Sequence, residues 1–478
     1  MSEQISNPKI NPPPEVLALG DAIKRAGGRP VLVGGWVRDA LLGAGQGKDF
    51  DLEVFGLSLE QVRKVLKPFG VLHSVGRHFG VLKLITPWGE YDVSIPRRES
   101  NIGKGHKGFW VRADPDMSFA EAASRRDFTI NSLGYDLVEN RLLDPFQGEE
   151  HLKQGVLRHV GPAFGEDPLR VLRAMQFAGR FGLEIAADTL IICRQQDLNE
   201  LPRERLWEEF RKLLLQSAQP SRGLIYAPEL GLLPYFPELR VLHEAPPPAE
   251  GPSVWTHTLA TVDQAASLRT GEPGHDLTLM YAALCHGMEG VGSPGSGAES
   301  ATAFLSRLTN STELLKAVPA LLKELPQPQR LFALRTPVRS GVAGVPAESE
   351  ASRAPGATDG EVRRLALRVP IPLLLELDTA RYRALEALRA HAATPTVYPA
   401  GEWLRAEALR LGVWEGPPKP LLMGRHLAEQ GMNPGREMGV LLHSAFEAQL
   451  DGRITSMNEA VTWAREYLQR LHGTTLEG

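Results

Sequence analysis

Cysteine is almost missing from this chain: 478 residues hold only Cys193 and Cys285, far apart. Two distant thiols exclude a disulfide framework and a cysteine-based metal site, and they point to a reducing cytoplasm. Long apolar runs are missing too. No stretch reaches the roughly twenty residues that a spanning helix needs, and the opening MSEQISNPKINPPPE has no signal-peptide core, so no membrane role is expected. Nor is there an excess of positive charge. Lys and Arg number 53 against 57 Asp and Glu, a net charge of −4, so any affinity for RNA has to come from local basic patches such as Arg203, Arg205, Arg211 and Lys212. Those residues read equally well as the exposed face of an amphipathic helix. No repeat of fixed period is present. A hydrophobic content of 42% is ordinary for a soluble protein, and the length allows about three domains.

What the chain does contain is concentrated in Leu32 to Leu52, LVGGWVRDALLGAGQGKDFDL. Phe50, Leu52 and Val54 alternate with acids, so a strand here projects Asp49 and Asp51 from one face. Paired carboxylates suit a hard cation such as Mg²⁺, and two such ions roughly 3.5–4 Å apart can activate a hydroxyl and neutralise a leaving pyrophosphate. Gly34 and Gly35 let backbone N–H groups approach a triphosphate closely, a helix opening near Val37 aims its positive end at the same anion, and Arg38 can clamp a phosphate from the first turn. A D-x-D on a strand is by itself more often a solvated face. The ordered series of strand, glycine pair, helix and D-x-D strand is what favours a metal-dependent phosphoryl-transfer site.

This series resembles the nucleotidyltransferase superfamily of DNA polymerase beta, and GGWVRDALLG…KDFDLEVFG is similar to the family of class II tRNA nucleotidyltransferases and bacterial poly(A) polymerases. Three further segments are similar to that family's later signatures: SRRDFTINSL at Ser124–Leu133, LDPFQG at Leu143–Gly148 and GEDPLRVLR at Gly165–Arg173. The resemblance covers roughly residues 30–237 and returns in the last sixty or so. It implies an α+β fold: a polymerase-beta-like head of mixed sheet with helices, followed by an all-α neck, body and tail. It also implies template-independent addition of CMP, AMP or both from CTP and ATP to a tRNA 3′ end, with Mg²⁺ on Asp49 and Asp51. Poly(A) synthesis or a split CC-adding or A-adding activity shares the same motifs. Arg38, Arg126 and Arg173 are then expected on the triphosphate, and Asp127 is expected to cap or orient the Arg125–Arg126 pair. Asn131 is a candidate for the ribose. A third carboxylate belongs beside the D-x-D. Asp92, on the second strand of a hairpin in VLKLITPWGEYDVSIP, is assigned to it, with Glu90 and Glu99 as competitors. Where many relatives carry an arginine three residues beyond Arg173, this chain has Gln176.

The residues of EDPLR have their own chemistry. Asp167 and Arg170 are three apart, so on a helix they face one base together. A carboxylate accepts the exocyclic amine of cytosine or adenine while a guanidinium donates to the adjacent ring acceptor. Uracil would set an acceptor against the carboxylate and be rejected. A helix-capping and salt-bridge cluster of Glu166, Asp167, Arg170 and Arg173 is the plainer reading of the same residues. Asp144 reads as a turn residue. Gly103 to Gly108 suggest a mobile basic loop, or a solvated hairpin tip.

Four segments are expected: a head over 1–160, a neck carrying the nucleotide-selecting motif over 161–240, a body over 241–370 and an RNA-binding tail over 371–478. Residues 337–360 read as a linker. Within the body, VWTHTLATVDQAASL and LMYAALCHGMEG resemble an HD-type metal phosphohydrolase. His286 is followed by Gly287 where that family has aspartate, so a degenerate scaffold is expected, with His275-Asp276 opening a helix as its cap.

Overall fold

The computed structural model describes residues 10–43, 50–75, 81–101, 109–290, 297–334, 357–390, 397–429 and 432–473. The chain divides into two compact units, residues 1–209 with 226–232, and residues 210–225 with 233–478.

The first unit is built on a seven-stranded sheet. Helix α1 (Pro14–Arg25), with Val16, Leu19 and Ile23 buried, leads into β1 (Arg29–Val33), α2 (Gly35–Leu41), β2 (Phe50–Phe55) and α3 (Leu59–Leu66). Ser58 starts α3 through a capping box with Gln61, which satisfies otherwise orphaned N–H groups. Next come β3 (Val71–Val75), β4 (Val81–Thr86), β5 (Gly89–Ser94), β6 (Arg97–Asn101), β7 (Phe109–Ala113), α4 (Phe119–Ala123), β8 (Gly134–Asp136), β9 (Arg141–Leu143) and α5 (Gly148–Gln154). The large sheet has the order β3-β4-β5-β2-β1-β8-β9. All its neighbours are antiparallel except β2 and β5.

The period of two expected in FDLEVF is observed: Phe50, Leu52 and Val54 are buried, Asp51 is exposed and Glu53 half-buried. The apolar face joins Leu32, Val37, Val62 and Val93 in the main core, where fully burying a leucine such as Leu52 contributes about 1.5–3 kcal/mol. The opposite face is partly covered by α4, whose Phe119 packs with Val31, Val33 and Phe55. Asp51 and its neighbours lie on that second face. The expected hairpin of VLKLITPWGEYDVSIP is β4 and β5.

A helical stretch follows, with β10 (Val156–Leu157), α6 (Leu169–Phe181), β11 (Glu184–Ile185), α7 (Ala187–Arg194) and α8 (Arg203–Gln216). The second unit is helical throughout its described residues. Its centre is the helix Val254–Ala266, packed against Pro273–Cys285 and Ile371–Ala390. The proposed linker falls largely outside the described residues, and its last four residues, 357–360, open the helix Ala357–Arg368. No described helix is long and apolar enough to cross a membrane.

Candidate active site

The parallel pairing of β2 with β5 sets Asp51 directly beside Asp92. Register partners on neighbouring strands point to one face, and strands lie about 4.8 Å apart, so two exposed carboxylates stand side by side. Of the three acids named for the third carboxylate position, Asp92 is the one in register with Asp51. Glu90 pairs with Lys83 at 2.7 Å. Asp49 and the Gly103–Gly108 loop lie outside the described residues. Hard oxygen donors at this register fit a divalent cation, although among the described residues no three His, Cys, Asp or Glu side chains form a metal-sized group.

Gly34 lies against Asp51. Its φ of 71° and ψ of −131° are a glycine conformation, and a Cβ there would stand 3.6 Å from Asp51 Oδ2. The helix opens at Gly35 rather than near Val37. The Gly34 N–H is taken by the Leu133 carbonyl at 3.3 Å, so it is not aimed at an anion.

Glu53, two residues beyond Asp51 on the same face, was not among the expected site residues. It accepts from Arg126 Nη2 at 2.9 Å, while Arg126 Nη1 donates to the carbonyls of Asn131 and Leu133. Alternation in DLE already put Glu53 on that face, so the sequence held a signal for it. Arg125 donates to Glu166 at 2.6 Å.

Asp127 does not orient the arginine pair. Its Oδ2 accepts from Arg173 at 2.7 and 2.6 Å, and its Oδ1 accepts from the Phe128 N–H and from Asn131 Nδ2. Asn131 in turn accepts from Arg38 Nη1 at 2.6 Å. A buried relay therefore runs Arg38, Asn131, Asp127, Arg173, tying α2 to α6. Burial alone would raise the Asp127 carboxyl, but Arg173 and the N–H donors hold it below the ordinary aspartate range. Arg38 is 4% exposed, bonded to Asp39, and lies over Phe181 at 4.3 Å; burial lowers its pKa. Asn131 is thus committed to the relay. Gln176 is buried on α6, and its Nε2 has no partner among the described residues.

Asp167 and Arg170 are not helix neighbours. Asp167 precedes Pro168, which disfavours helical backbone at the preceding residue, and it is extended at φ −129°; α6 begins only at Leu169. Arg170 donates to the carbonyls of Ala163 and Arg125. Asp167 accepts from the Leu169 N–H and, with both oxygens, from Arg205 at 3.2 and 2.7 Å. Arg205, expected in a basic patch, is instead the partner of Asp167; 38 residues of separation left no local trace of it. Asp144 accepts from the N–H groups of Gly148 and Glu149 and so begins α5, the structural role expected of it.

In the second unit His257 and His286 do meet, with ring centroids 5.0 Å apart. Gly287 explains why no aspartate follows His286: a Cβ would come within 2.7 Å of Thr258 Oγ1 and 2.9 Å of Val254 Cγ1. Gly287→Asp should therefore lower stability by about 1–3 kcal/mol and produce no phosphatase activity, as denaturant melts and a phosphomonoester assay would read. A stable variant that hydrolyses phosphomonoesters would contradict the steric account. Asp276 does not cap its own helix; it accepts from the Thr270 and Gly271 N–H groups of the preceding turn.

Residues 31–158 match the family described as "Poly A polymerase head domain", and residues 182–242 match "Probable RNA and SrmB- binding site of polymerase A". The chain is 41% identical over 267 residues to the Multifunctional CCA protein of Xanthomonas campestris pv. campestris, covering 53% of this chain and 62% of that protein. It is 38% identical over 264 residues to the one from Nitrosospira multiformis, covering 53% and 60%. The match thus spans about 60% of these relatives' length. The fold is similar to that of the Bacillus stearothermophilus CCA-adding enzyme in complex with CTP, at a TM-score of 0.67 and 22% identity over 97% of this chain and 100% of that one. It is also similar to the Thermotoga maritima CCA-adding enzyme complexed with tRNA, at a TM-score of 0.61 and 19% identity over 98% and 100%. With the mixed-sheet head and the EDPLR segment in place, residues 31–158 and 182–242 of this chain are similar to the head and RNA-binding segments of the poly(A) polymerase family.

Proposed function

We propose that this protein is a template-independent tRNA nucleotidyltransferase that adds CMP and AMP from CTP and ATP to the tRNA 3′ end in the cytoplasm. The observation that carries the reading is the register of Asp51 with Asp92 opposite the Gly34 turn. A divalent metal belongs to the chemistry of this family. In this reading Asp51 and Asp92, together with Asp49, would hold Mg²⁺, which would supply activation of the RNA hydroxyl and neutralise charge at the leaving pyrophosphate. Arg126 and Arg173 carry positive charge to the triphosphate, and the buried Arg38 supports Arg173 through Asn131 and Asp127. Gly34 and Gly35 keep side chains away from it. The neck of residues 161–240 selects the nucleotide, and the helical tail of 371–478 holds the tRNA.

Asp167 reads the base. A carboxylate offers about four acceptor sites, and the Leu169 N–H and Arg205 use three of them. One remains on Oδ2 for the exocyclic amine of cytosine or adenine. Arg170, on the first turn of α6, supplies the donor by exchanging one of its two carbonyl partners. Asp167→Ala should weaken discrimination against UTP by about a hundredfold or more while leaving the protein folded. The ratio of kcat/KM for CTP and UTP checks this, and an unchanged ratio would remove the base-reading role.

A further inference from the structure

The row of register partners that brings Asp51 beside Asp92 continues outward across the sheet. Asp92 pairs with Lys83 on β4, and Lys83 pairs with His73 on β3, the strand at the sheet's edge. Register partners share a face, so one face carries, in order from β1, Val33, Asp51, Asp92, Lys83 and His73. Lys83 is the only Lys or Arg in β3, β4 and β5.

The two ends of this row differ. Toward β1 the face is closed. Phe119 of α4 packs on Val31 and Val33, Gly34 lies against Asp51, and Arg126 spans from Glu53 to the Asn131 and Leu133 carbonyls that lead into β8. Gly34 and Arg126 are among the groups assigned above to the triphosphate. Toward β3 the face is open. Lys83 keeps 40% of its side chain exposed, His73 is exposed, and the register partners Val71 and Ile85 are both exposed as well.

In-line transfer sets the attacking hydroxyl and the leaving pyrophosphate on opposite sides of the phosphorus. With the pyrophosphate toward β1, the RNA has to arrive over β3 and β4, and Lys83 is the cation beside its path. The pair that Lys83 makes with Glu90 is no obstacle, because both side chains are well exposed and an ion pair in water contributes little. An ammonium on a flexible stem can turn from Glu90 to a phosphate. Such a contact carries no base information, which suits an RNA end whose last nucleotide changes with each addition.

Resting on the nucleotidyl-transfer reading, we propose that Lys83 binds the terminal phosphodiester of the acceptor RNA and so sets its 3′-hydroxyl over Asp92.

Initial rates of CMP addition by the full-length chain, with the tRNA transcript and CTP varied in turn at constant Mg²⁺, test this in Lys83→Gln. The KM for RNA should rise about tenfold, and the KM for CTP should stay within about twofold of the parent value. The slope of log kcat/KM for RNA against log salt should become shallower by about 0.7, the share of one single-strand phosphate contact. Lys83→Arg should restore most of the RNA affinity, and melting curves should show all three proteins folded, since the side chain is exposed. An unchanged KM for RNA, an equal rise in both KM values or an unchanged salt slope would overturn the contact. A fall in kcat alone would overturn it too, because it would mean that Lys83 acts only on the charge of Asp92 and Glu90. No incorporation by the folded parent protein would instead overturn the nucleotidyl-transfer reading, and this inference with it.

Discussion

Asp51→Asn lowers nucleotide incorporation by about three orders of magnitude or more, the scale on which losing a charged group that acts on the transition state is felt. Its thermal unfolding stays close to that of the parent protein. Both halves follow from position. Asp51 is exposed on the sheet face opposite the main core, so it contributes little to packing, and exposed substitutions of this kind usually change stability by about 0.5 kcal/mol or less. Asparagine keeps the shape and removes the charge. Single-turnover incorporation measured beside a melting curve separates the two quantities. A variant that folds and keeps full activity would remove the carboxylate pair from the mechanism, whereas one that loses activity only by unfolding would leave Asp51 a structural residue.

Asp127→Ala has the opposite signature, with stability falling first. Removing the carboxylate leaves Arg173 and Asn131 without their shared partner and interrupts the relay to Arg38. Breaking a buried pair costs about 3–5 kcal/mol, and because Arg173 keeps 30% of its side chain exposed, about 3 kcal/mol is expected. The pH dependence carries a sign. Burial works against the Asp127 charge, but Arg173 and the N–H donors outweigh it and leave the folded pKa depressed. Its stabilisation is therefore complete above the unfolded aspartate pKa of about 4 and is lost as pH falls through the lower folded value. Denaturant melts from pH 7 down to pH 3 should show the difference between parent and Asp127→Ala shrinking toward acid. A constant difference would mean that the carboxylate is held by something other than its charge.

Much of the head was legible because its information is local. A period of two in FDLEVF puts Asp51 on the solvent face, and the Pro-Trp-Gly turn sets the hairpin that carries Asp92. Glu53 was equally legible, since it shares the alternation of Asp51. Asp167 shows where spacing misleads: a separation of three suggests a shared helix face only if both residues are helical, and Pro168 keeps Asp167 extended. The partners of Asp127 and Asp167 were hidden for another reason. Arg173 lies 46 residues from the first and Arg205 lies 38 from the second, and no periodicity couples residues at such range. The reason that position 287 is glycine was likewise tertiary, since Thr258 and Val254 fill the space a side chain would need.

The central claim is tested most directly by incubating the protein with Mg²⁺ and each nucleotide, singly and in pairs, on tRNA transcripts that end before CCA, after C and after CC. Ordered addition of C, C and A that then stops is the predicted result. Long A tails, addition confined to one of the three ends, or no incorporation by folded protein would contradict it.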